Sequence, residues 1–426
     1  MKPIKIIHLS TSNKGGAFTA AYNLHKICIK YGYNSDFYCK YSSEFSHVVK
    51  FDNVLIQSNF YSIFHRIKIF LRDNFPFLIS NYFKGNKSKI LDKYSFYQFS
   101  ETRKTGINLS LVKSITDVDV LLVHWVTGFV NYYDVYNIWR KFNCKVIFTM
   151  MDMAPITGGC HYSNECLKFH QTCSNCPALE GQLNIAENQL NIKVILSKLI
   201  KPSILTFSLQ NLQDAKNSAV YFDNYYYLNL PYDKHLFNPQ SKSVKNTNVY
   251  NVLGSAFTSF NSRKGPQYFL ETLIQLDRLL SRDVVIKVFH INLDFESQYK
   301  FDHIIFEKFN FINEPNELAK FYSQMDLLVF TSIADAAPMM MAECLLCGIP
   351  VVSFDTGNAR HIIKNGVDGF VVPLYDSKSL AEASYSSLFE KPSNWATPLE
   401  RHKRIAKIHD NEKFETEFIN ILKQSK

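Results

Sequence analysis

The feature that most constrains the fold is a regular alternation of short apolar runs with amphipathic segments. The runs are bounded by polar residues or glycine, as is typical of buried strands, and they lie at 4–10, 117–129, 144–150, 202–208, 249–257, 326–330 and 350–354. Strands that alternate with helices form parallel sheets with helices packed on both faces. The sequence therefore predicts an α/β protein made of two doubly wound domains.

Polar composition suggests where one domain ends. With 426 residues the chain is long enough for two domains of ordinary size, and the polar stretch 240–248 is the best linker candidate. We predict a first domain at 1–240, a second at 241–405, and a C-terminal helix at 406–426 that crosses back to the first domain. Within the first domain, residues 52–105 form a basic, aromatic insertion and residues 157–178 a cysteine-rich loop.

The formal charge of +9 favours an anionic partner, such as a membrane surface, nucleic acid or a phosphorylated substrate. The insertion at 52–105 could lie on anionic lipid or receive a lipid-linked acceptor. It could equally pack on the domain with its basic face in water. Basic residues here accompany no nucleic-acid-binding motif, so nucleic acid is not expected.

Neither an export signal nor a run of 18 apolar residues is visible in the sequence. We therefore expect a cytoplasmic protein that touches the inner membrane face peripherally.

Two carboxylates flank a predicted helix start in the second half. Asp335 follows a strand, Pro338 suits a first helical turn, Glu343 lies inside the helix, and Gly348 suits its end. The backbone N–H groups at such a helix start attract a phosphate, and flanking carboxylates accept hydrogen bonds from hydroxyls. The pattern predicts a site for a nucleoside diphosphate sugar; two solvated carboxylates beside an ordinary helix are the alternative.

Two further short motifs carry chemistry. Arg263 and Lys264 precede Gly265 between a strand and a helix, where two cations could clamp a diphosphate, although a solvated pair is the alternative. Gly15 and Gly16 follow the first strand and allow either a tight turn or close approach of a ligand. Neither glycine loop has the full G-x-G-x-x-G spacing, which disfavours a NAD enzyme.

Taken together, these motifs resemble the retaining GT-B glycosyltransferases of family 4 (group 1), in particular their polysaccharide and O-antigen branch. The resemblance covers nearly the whole chain, from "GGA" at 15–17 through "HW" at 124–125 and "RKG" at 263–265 to the segment 335–358. It implies two Rossmann-like domains facing a central cleft. It also implies transfer of a sugar (hexosyl or related) from a nucleotide sugar to a glycan hydroxyl, with retention and without a required metal.

The resemblance also implies a role for individual residues. Glu343 would bind the ribose, Asp335 the sugar hydroxyls, and Lys264 with Arg263 the diphosphate. By the same resemblance, the backbone at Met339 and Met340 would form the phosphate-binding turn, and Gly15 and Gly16 the loop that faces the diphosphate. His124 would be the histidine beside the reacting sugar. Trp125 and Asp152 would lie on the acceptor side.

Rival functions stay open at the level of sequence. A nucleotide-sugar epimerase or a phosphorylase could use the same fold. A non-enzymatic scaffold that binds anionic lipid or glycan through the basic insertion is the other alternative.

Four of the nine cysteines have the spacing C-x5-C-x6-C-x2-C, at Cys160, Cys166, Cys173 and Cys176. Four thiolates can form a closed tetrahedral zinc site, and in a reducing cytoplasm zinc is favoured over disulfides. A structural zinc, free thiols and disulfides are the three alternatives.

Overall fold

The computed structural model describes residues 3–13, 15–40, 48–50, 114–179, 184–240, 248–256, 262–291, 299–310, 312 and 314–424. The predicted insertion at 52–105 lies outside these residues. The described residues of Met1–Thr206, Asn211–Tyr227 and Ile419–Lys426 form one compact unit, and those of Phe207–Gln210 and Leu228–Phe418 form another. Residues 228–240, predicted to belong to the first domain, thus group with the second unit.

The first unit contains a seven-stranded sheet. Its strands are β1 (Lys5–Ser10), β2 (Asn34–Cys39), β3 (Val48–Lys50), β4 (Val120–Val123), β5 (Lys145–Met150), β6 (Ser203–Thr206) and β7 (Asn224–Tyr227). Its helices are α1 (Gly16–Lys30), α2 (Tyr132–Phe142), α3 (Ile185–Ile200) and α4 (Leu209–Asn217). The strand order is β3-β2-β1-β4-β5-β6-β7, and every neighbouring pair is parallel.

The second unit contains a six-stranded sheet. Its strands are β8 (Val249–Ala256), β9 (Val285–Ile291), β10 (Ile304–Lys308), β11 (Leu327–Phe330), β12 (Val351–Phe354) and β13 (Gly369–Val372). Its helices are α5 (Pro266–Leu279), α6 (Pro315–Ser323), α7 (Met339–Leu346), α8 (Ala359–Ile362), α9 (Ser377–Tyr385) and α10 (Pro398–Ile408). The last helix, α11 (Asn411–Lys423), begins in the second unit, and its residues from Ile419 onward belong to the first. The order is β10-β9-β8-β11-β12-β13, again all parallel.

Both sheets are therefore doubly wound, and the prediction of an α/β fold with two Rossmann-like units is confirmed. Their central strands are buried on both faces: β4, β6, β11 and β12 each show an unbroken run of buried residues. That burial explains why the sequence shows continuous apolar runs here rather than strict alternation.

The last described residues of the chain pack on the first unit. The Nζ atom of Lys145 on β5 donates to the carbonyl oxygens of Ile421 (2.6 Å) and Gln424 (2.8 Å). The Tyr226 hydroxyl donates to Oε1 of Gln424 at 2.7 Å. The last turns of α11 thus pack on the β5–β7 side of the first sheet.

Candidate functional site

The strand order of the second unit reverses between β8 and β11, and the candidate site lies there. The chain leaves β8 toward β9 on one side and continues from β11 toward β12 on the other. In doubly wound sheets, ligands bind outside the carboxyl ends of the strands at this reversal. Arg263 and Lys264 follow β8, and Asp335 follows β11.

A short turn at 262–264 is held directly against the end of β11. The Thr331 hydroxyl donates to the carbonyl of Lys264 at 3.1 Å, and the Ile333 N–H donates to the carbonyl of Arg263 at 2.9 Å. Gly265 has φ 67°, and a Cβ there would lie 2.1 Å from the Thr331 carbonyl oxygen. The two cations are therefore fixed in place by a contact that glycine alone permits.

Asp335, the first of the two predicted carboxylates, contacts both predicted cations. Its Oδ2 lies 2.7 Å from Nζ of Lys264 and 3.1 Å from a guanidinium nitrogen of Arg263. Burial by itself raises the pKa of the Asp335 carboxyl, but Lys264 and Arg263 together lower it below its usual value. Two cations around one carboxylate leave a net positive charge suited to an anion.

The helix α7 begins beside this cluster. Pro338 is its N-cap rather than a first-turn residue, so that detail of the prediction is wrong by one position, and no side chain caps the first N–H groups. Gly348 follows the helix end with φ 79°, as predicted. Gly357 approaches so closely that a Cβ would lie 2.8 Å from the Asp335 carbonyl oxygen. The loop after β12 therefore packs on the start of α7.

Glu343, the second predicted carboxylate, is only 7% exposed. Its Oε2 accepts a hydrogen bond of 3.3 Å from the Tyr322 hydroxyl. Burial raises the pKa of Glu343 to about 7, a rise that the Tyr322 bond partly opposes. The carboxyl is thus poised to change charge near neutral pH.

Tyr232 completes this cluster, although no sequence motif marks it. Its ring is 4% exposed and packs edge-on against His409 at 4.8 Å between centroids. Burial, Glu343 and Asp335 raise the pKa of Tyr232. Within the described part of the chain, its hydroxyl has no hydrogen-bond partner. A buried hydroxyl without a partner is costly, which makes Tyr232 a candidate for contact with a ligand.

In the first unit, His124 lies at the end of β4 and is 2% exposed. Its Nε2 lies 2.9 Å from Nδ1 of His8, and its Nδ1 lies 2.7 Å from the Thr149 hydroxyl. Burial, reinforced by His25, lowers the pKa of His124 to about 3. The His124 ring is therefore neutral, and both of its nitrogens contact other residues of the unit.

A cavity of about 40 Å³ lies next to His124 and is lined by polar, aromatic and aliphatic side chains. Asp152 pairs through Oδ2 with Nδ1 of His161, and its Oδ1 accepts the Ala154 N–H at 2.8 Å. The indole of Trp125 packs 5.9 Å from the His161 ring. The predicted acceptor-side residues Asp152 and Trp125 thus meet through His161.

The loop between β1 and α1 carries the predicted glycines. Gly15 is the N-cap of α1 with φ 84° and ψ 172°. No atom of the described residues would lie within 4 Å of a Cβ at Gly15. The loop leaves open space at the helix start, as close approach of a ligand would need.

The four clustered cysteines line one small cavity of the first unit. The thiols of Cys160 and Cys176 contact each other, and this contact lowers the pKa of Cys176 to about 7. All four are free thiols. Within the described residues, no three histidine, cysteine, aspartate or glutamate side chains converge as the ligands of a bound ion would.

Residues that sequence reasoning missed share one property: their role depends on neighbours far away along the chain. His161 stands nine positions after Asp152 in "GGCHY", and spacing alone does not reveal that the two side chains pair. Tyr322 lies on α6 and Tyr232 follows β7, yet both lie near Glu343. An isolated tyrosine or histidine gives no comparable local signal.

One family model matches part of the second unit. Residues 256–407 match the family described as "Glycosyl transferases group 1". The matched stretch includes the cations after β8, Asp335 and α7. No curated protein matches the chain.

Solved structures of similar fold cover essentially the whole chain. Sucrose-phosphate synthase from Thermosynechococcus elongatus is 12% identical, with a TM-score of 0.61 over 99% of this chain and 98% of that one. Anabaena HepE in complex with UDP and glucose is 14% identical, with a TM-score of 0.62 over 99% and 100%. A glycosyltransferase from Rickettsia africae is 12% identical, with a TM-score of 0.61 over 100% and 99%. The chain has the GT-B fold.

Across the described helices, none combines the length and apolarity that a membrane crossing requires.

Proposed function

We propose that the protein transfers a sugar from a nucleoside diphosphate sugar to a hydroxyl of a glycan, one carried on a lipid diphosphate. The observation that carries this proposal is the contact of Arg263 and Lys264 with Asp335 at the strand reversal of the second unit. This cluster lies inside the stretch that matches group 1 glycosyl transferases. A similar fold holds UDP-glucose in Anabaena HepE.

In the proposed donor complex, Lys264 and Arg263 bind the diphosphate together with the free N–H groups at Met339 and Met340. Glu343 accepts hydrogen bonds from the ribose. Asp335 exchanges part of its contact with the cations for hydroxyls of the donor sugar. The cations are thus held in position before the donor arrives, which reduces the ordering cost of binding.

The chemistry exchanges one bond at the anomeric carbon for another on the same face of the sugar. The bond from that carbon to the phosphate oxygen breaks, and a bond to the acceptor oxygen forms. The acceptor's proton passes to the departing phosphate oxygen, and a nucleoside diphosphate leaves. Lys264 and Arg263 stabilise the charge that develops on it, so no metal is needed. Such a mechanism agrees with the retaining family 4 resemblance.

The first unit supplies the acceptor side of this proposal. The cavity of about 40 Å³ is too small for a sugar ring, so an acceptor would contact only its wall, where Trp125 offers an aromatic face and the Asp152–His161 pair offers polar atoms. His124 lines the same cavity. Direct contact of its ring nitrogens with a sugar would require the loss of the bond to Thr149 or His8. The net charge of +9 would attract the protein to an anionic membrane surface, and this supports activity at the cytoplasmic face of the membrane.

The test is thermal unfolding of the full chain with UDP-, GDP- and other nucleotide sugars, because a ligand that binds only the native state raises Tm. One class of donor should raise Tm by several degrees. Glu343→Ala should weaken binding of that donor by about tenfold, a loss of about 1.4 kcal/mol. Glu317→Ala, at an exposed position of α6, is the matched control and should bind like the wild type.

Product analysis then separates the rival functions. Transfer to a glycan acceptor with release of nucleoside diphosphate supports the proposal. Conversion of the free nucleotide sugar without acceptor would indicate an epimerase, and dependence on inorganic phosphate a phosphorylase. Vesicle binding that survives loss of Asp335 and Glu343, with no turnover of any donor, would indicate the scaffold.

A further inference from the structure

The outer face of α3 carries an apolar row where a surface helix normally shows polar residues. The inner face of α3 packs into the core of the first unit. On the outer face, Ile195 is 60% exposed, Leu199 is 50% exposed, and Ile192 is partly exposed. Spacings of three and four residues place these three side chains in one row along the helix. Such a row indicates a surface that binds an apolar partner.

Positive charge borders this row. Lys198 lies in the last turn of α3, and Lys201 directly follows the helix; both side chains are exposed. The acidic residue of α3 is Glu187, which lies in the first turn, at the other end of the helix. The apolar row therefore ends in a basic border.

The neighbouring helices extend the basic border. The helices α2, α3 and α4 connect successive strands in the order β4-β5-β6-β7, and right-handed crossovers place all three on one face of the sheet. Each helix therefore ends at the edge where the next strand begins. The last turn of α2 carries Arg140, and that of α4 carries Lys216. Cations at helix ends favour the helix dipole, but the dipole does not account for the exposed apolar row.

The combination of apolar row and basic border suits a lipid surface better than other partners. Apolar side chains enter the boundary of the acyl chains while lysines stay with the headgroups. A second copy of the chain on this face would bring the same cations to the same border, where like charges repel. Nucleic acid would contact the cations and leave the apolar row uncovered.

We propose that the outer face of α3, with Ile192, Ile195 and Leu199 at its centre, docks on the surface of an anionic phospholipid membrane. A single short row of apolar side chains with a few cations gives reversible, peripheral binding. The surface lies on a helix of the first unit and is separate in sequence from the basic insertion at 52–105.

The inner side of α3 connects this docking face to the proposed acceptor side. The Nζ atom of Lys193 donates to the carbonyl oxygens of Ala154 (2.7 Å) and Thr157 (2.9 Å). Lys193 also lines the same cavity as Trp125 and Asp152. A helix is about 10 Å across, so a docked α3 would hold the wall of this cavity about one helix diameter from the lipid surface. A lipid-linked acceptor could then reach that wall while its lipid stays in the membrane. This consequence rests on the proposed function, whereas docking itself does not.

The experiment is flotation of the full chain with phosphatidylcholine vesicles that contain about one third phosphatidylglycerol, and with vesicles of phosphatidylcholine alone. The wild type should float with the anionic vesicles and much less with the neutral ones. Ile195→Ser/Leu199→Ser should weaken binding to anionic vesicles by about tenfold, because most of the apolar area is lost. Lys198→Glu/Lys201→Glu should also weaken it and should reduce its dependence on salt.

A matched control removes two exposed apolar side chains from the second unit. Leu279 is 43% exposed at the end of α5, and Ile305 is 52% exposed on β10. Leu279→Ser/Ile305→Ser should float like the wild type. All four positions are exposed, so the Tm of both serine variants should stay close to that of the wild type.

A second measurement covers the case in which the serine variant of α3 fails to fold. Leu199→Trp places an indole in the proposed contact. Its emission, taken as the difference from the wild type with its three tryptophans, should shift to shorter wavelength on anionic vesicles. An unshifted difference spectrum overturns the proposal.

Four other results also overturn it. They are a wild type that does not float with anionic vesicles, an Ile195→Ser/Leu199→Ser variant that floats as well as the wild type, and a control variant that loses as much binding as the α3 variant. The fourth is a wild-type dimer, seen by light scattering, that the α3 variant converts to a monomer, because the face would then bind a second copy.

The docking test and the test of the proposed function fail separately. A wild type that floats but whose Tm responds to no nucleotide sugar contradicts the proposed function and leaves docking in place. A wild type that binds a nucleotide sugar but does not float contradicts docking alone.

Discussion

The Nζ atom of Lys264 lies 2.7 Å from Oδ2 of Asp335, so the cation proposed to hold a diphosphate is paired with an acid before any donor binds. Arg263 shares the same oxygen at 3.1 Å. The acid thus holds both cations at the reversal between β8 and β11. Its removal should therefore affect stability and anion binding in opposite directions.

Asp335→Asn removes the charge and keeps the shape. We expect the free energy of unfolding to fall by about 1.5–3 kcal/mol, because charge-assisted hydrogen bonds are lost. Inorganic pyrophosphate should bind several-fold more tightly, since two cations are released, while the intact sugar donor should bind less tightly. Urea unfolding and calorimetric titration measure these effects.

Glu307→Gln is the control for Asp335→Asn. Glu307 pairs with Lys287 at 2.9 Å in the same unit, but both side chains are well exposed. Exposed pairs contribute about 0–1 kcal/mol, so this variant should change neither property much. Weaker pyrophosphate binding by Asp335→Asn would contradict the proposed role of the cations.

Because Glu343 is buried, we predict that the free energy of unfolding decreases as pH rises from about 4.5 to about 7. The folded pKa is raised to about 7, so in this window the unfolded chain has already lost the proton that the native protein keeps. Stability then falls with increasing pH, by roughly 3 kcal/mol at most. Glu343→Gln should remove this contribution, and the difference in unfolding free energy between wild type and variant should change across the window. A difference that is constant from pH 4.5 to 7 would contradict the prediction.

The buried histidines of the first unit predict the opposite dependence. Burial and neighbouring histidines lower the pKa values of His8 and His124, so below pH 6.5 the unfolded chain takes up protons that the native unit does not. Stability is therefore present above pH 6.5 and is lost as pH falls. His8→Gln keeps a polar side chain beside Nε2 of His124 but cannot titrate. The variant should reduce the slope of the unfolding free energy against pH by up to about 1.4 kcal/mol per pH unit.

Denaturant unfolding between pH 4 and 6.5 tests the histidine prediction. The matched comparison is His402→Gln, at a partly buried histidine of the second unit that contacts the Leu346 carbonyl. An unchanged slope in His8→Gln would show that His8 takes up its proton in the native unit.

Two tyrosines near Glu343 make a matched pair for a ligand test. The Tyr322 hydroxyl donates to Glu343, so Tyr322→Phe should cost about 1 kcal/mol of stability without any ligand. The Tyr232 hydroxyl has no partner among the described residues, so Tyr232→Phe should be neutral or slightly stabilising. If Tyr232 contacts the donor, its variant should instead raise the donor Kd several-fold. Tm without ligand and Kd with the donor separate the two effects.

The sequence predicts the central strands well because their signal is local. The apolar runs at 326–330 and 350–354 become β11 and β12, and the cations at 263–264 precede α5 as expected. By contrast, β2 has the sequence NSDFYC and β7 the sequence NYYY. Both consist mainly of polar and aromatic residues, and the apolar-run criterion does not identify them. Aromatic residues favour strands, but a segment this short and polar is identified as a strand only by its place in the sheet.

The pairing of site residues could be predicted only in part. That Asp335 and Lys264 lie on the same sheet edge follows from parallel topology, since both follow strands of one sheet. Their direct ion pair depends on the packing of the turn at 262–264 on β11, which Gly265 permits. The Asp152–His161 pair depends on a loop path that no periodic pattern encodes.

The bonds from Lys145 to the last turns of α11 have a practical consequence for dissecting the molecule. A fragment that stops at the linker would lack the α11 residues that pack on β5. Lys145 would then lose the two carbonyl oxygens to which its ammonium donates. The first unit can therefore not be cut out as one continuous piece of chain. An isolated first unit would need the tail grafted back, for example by circular permutation.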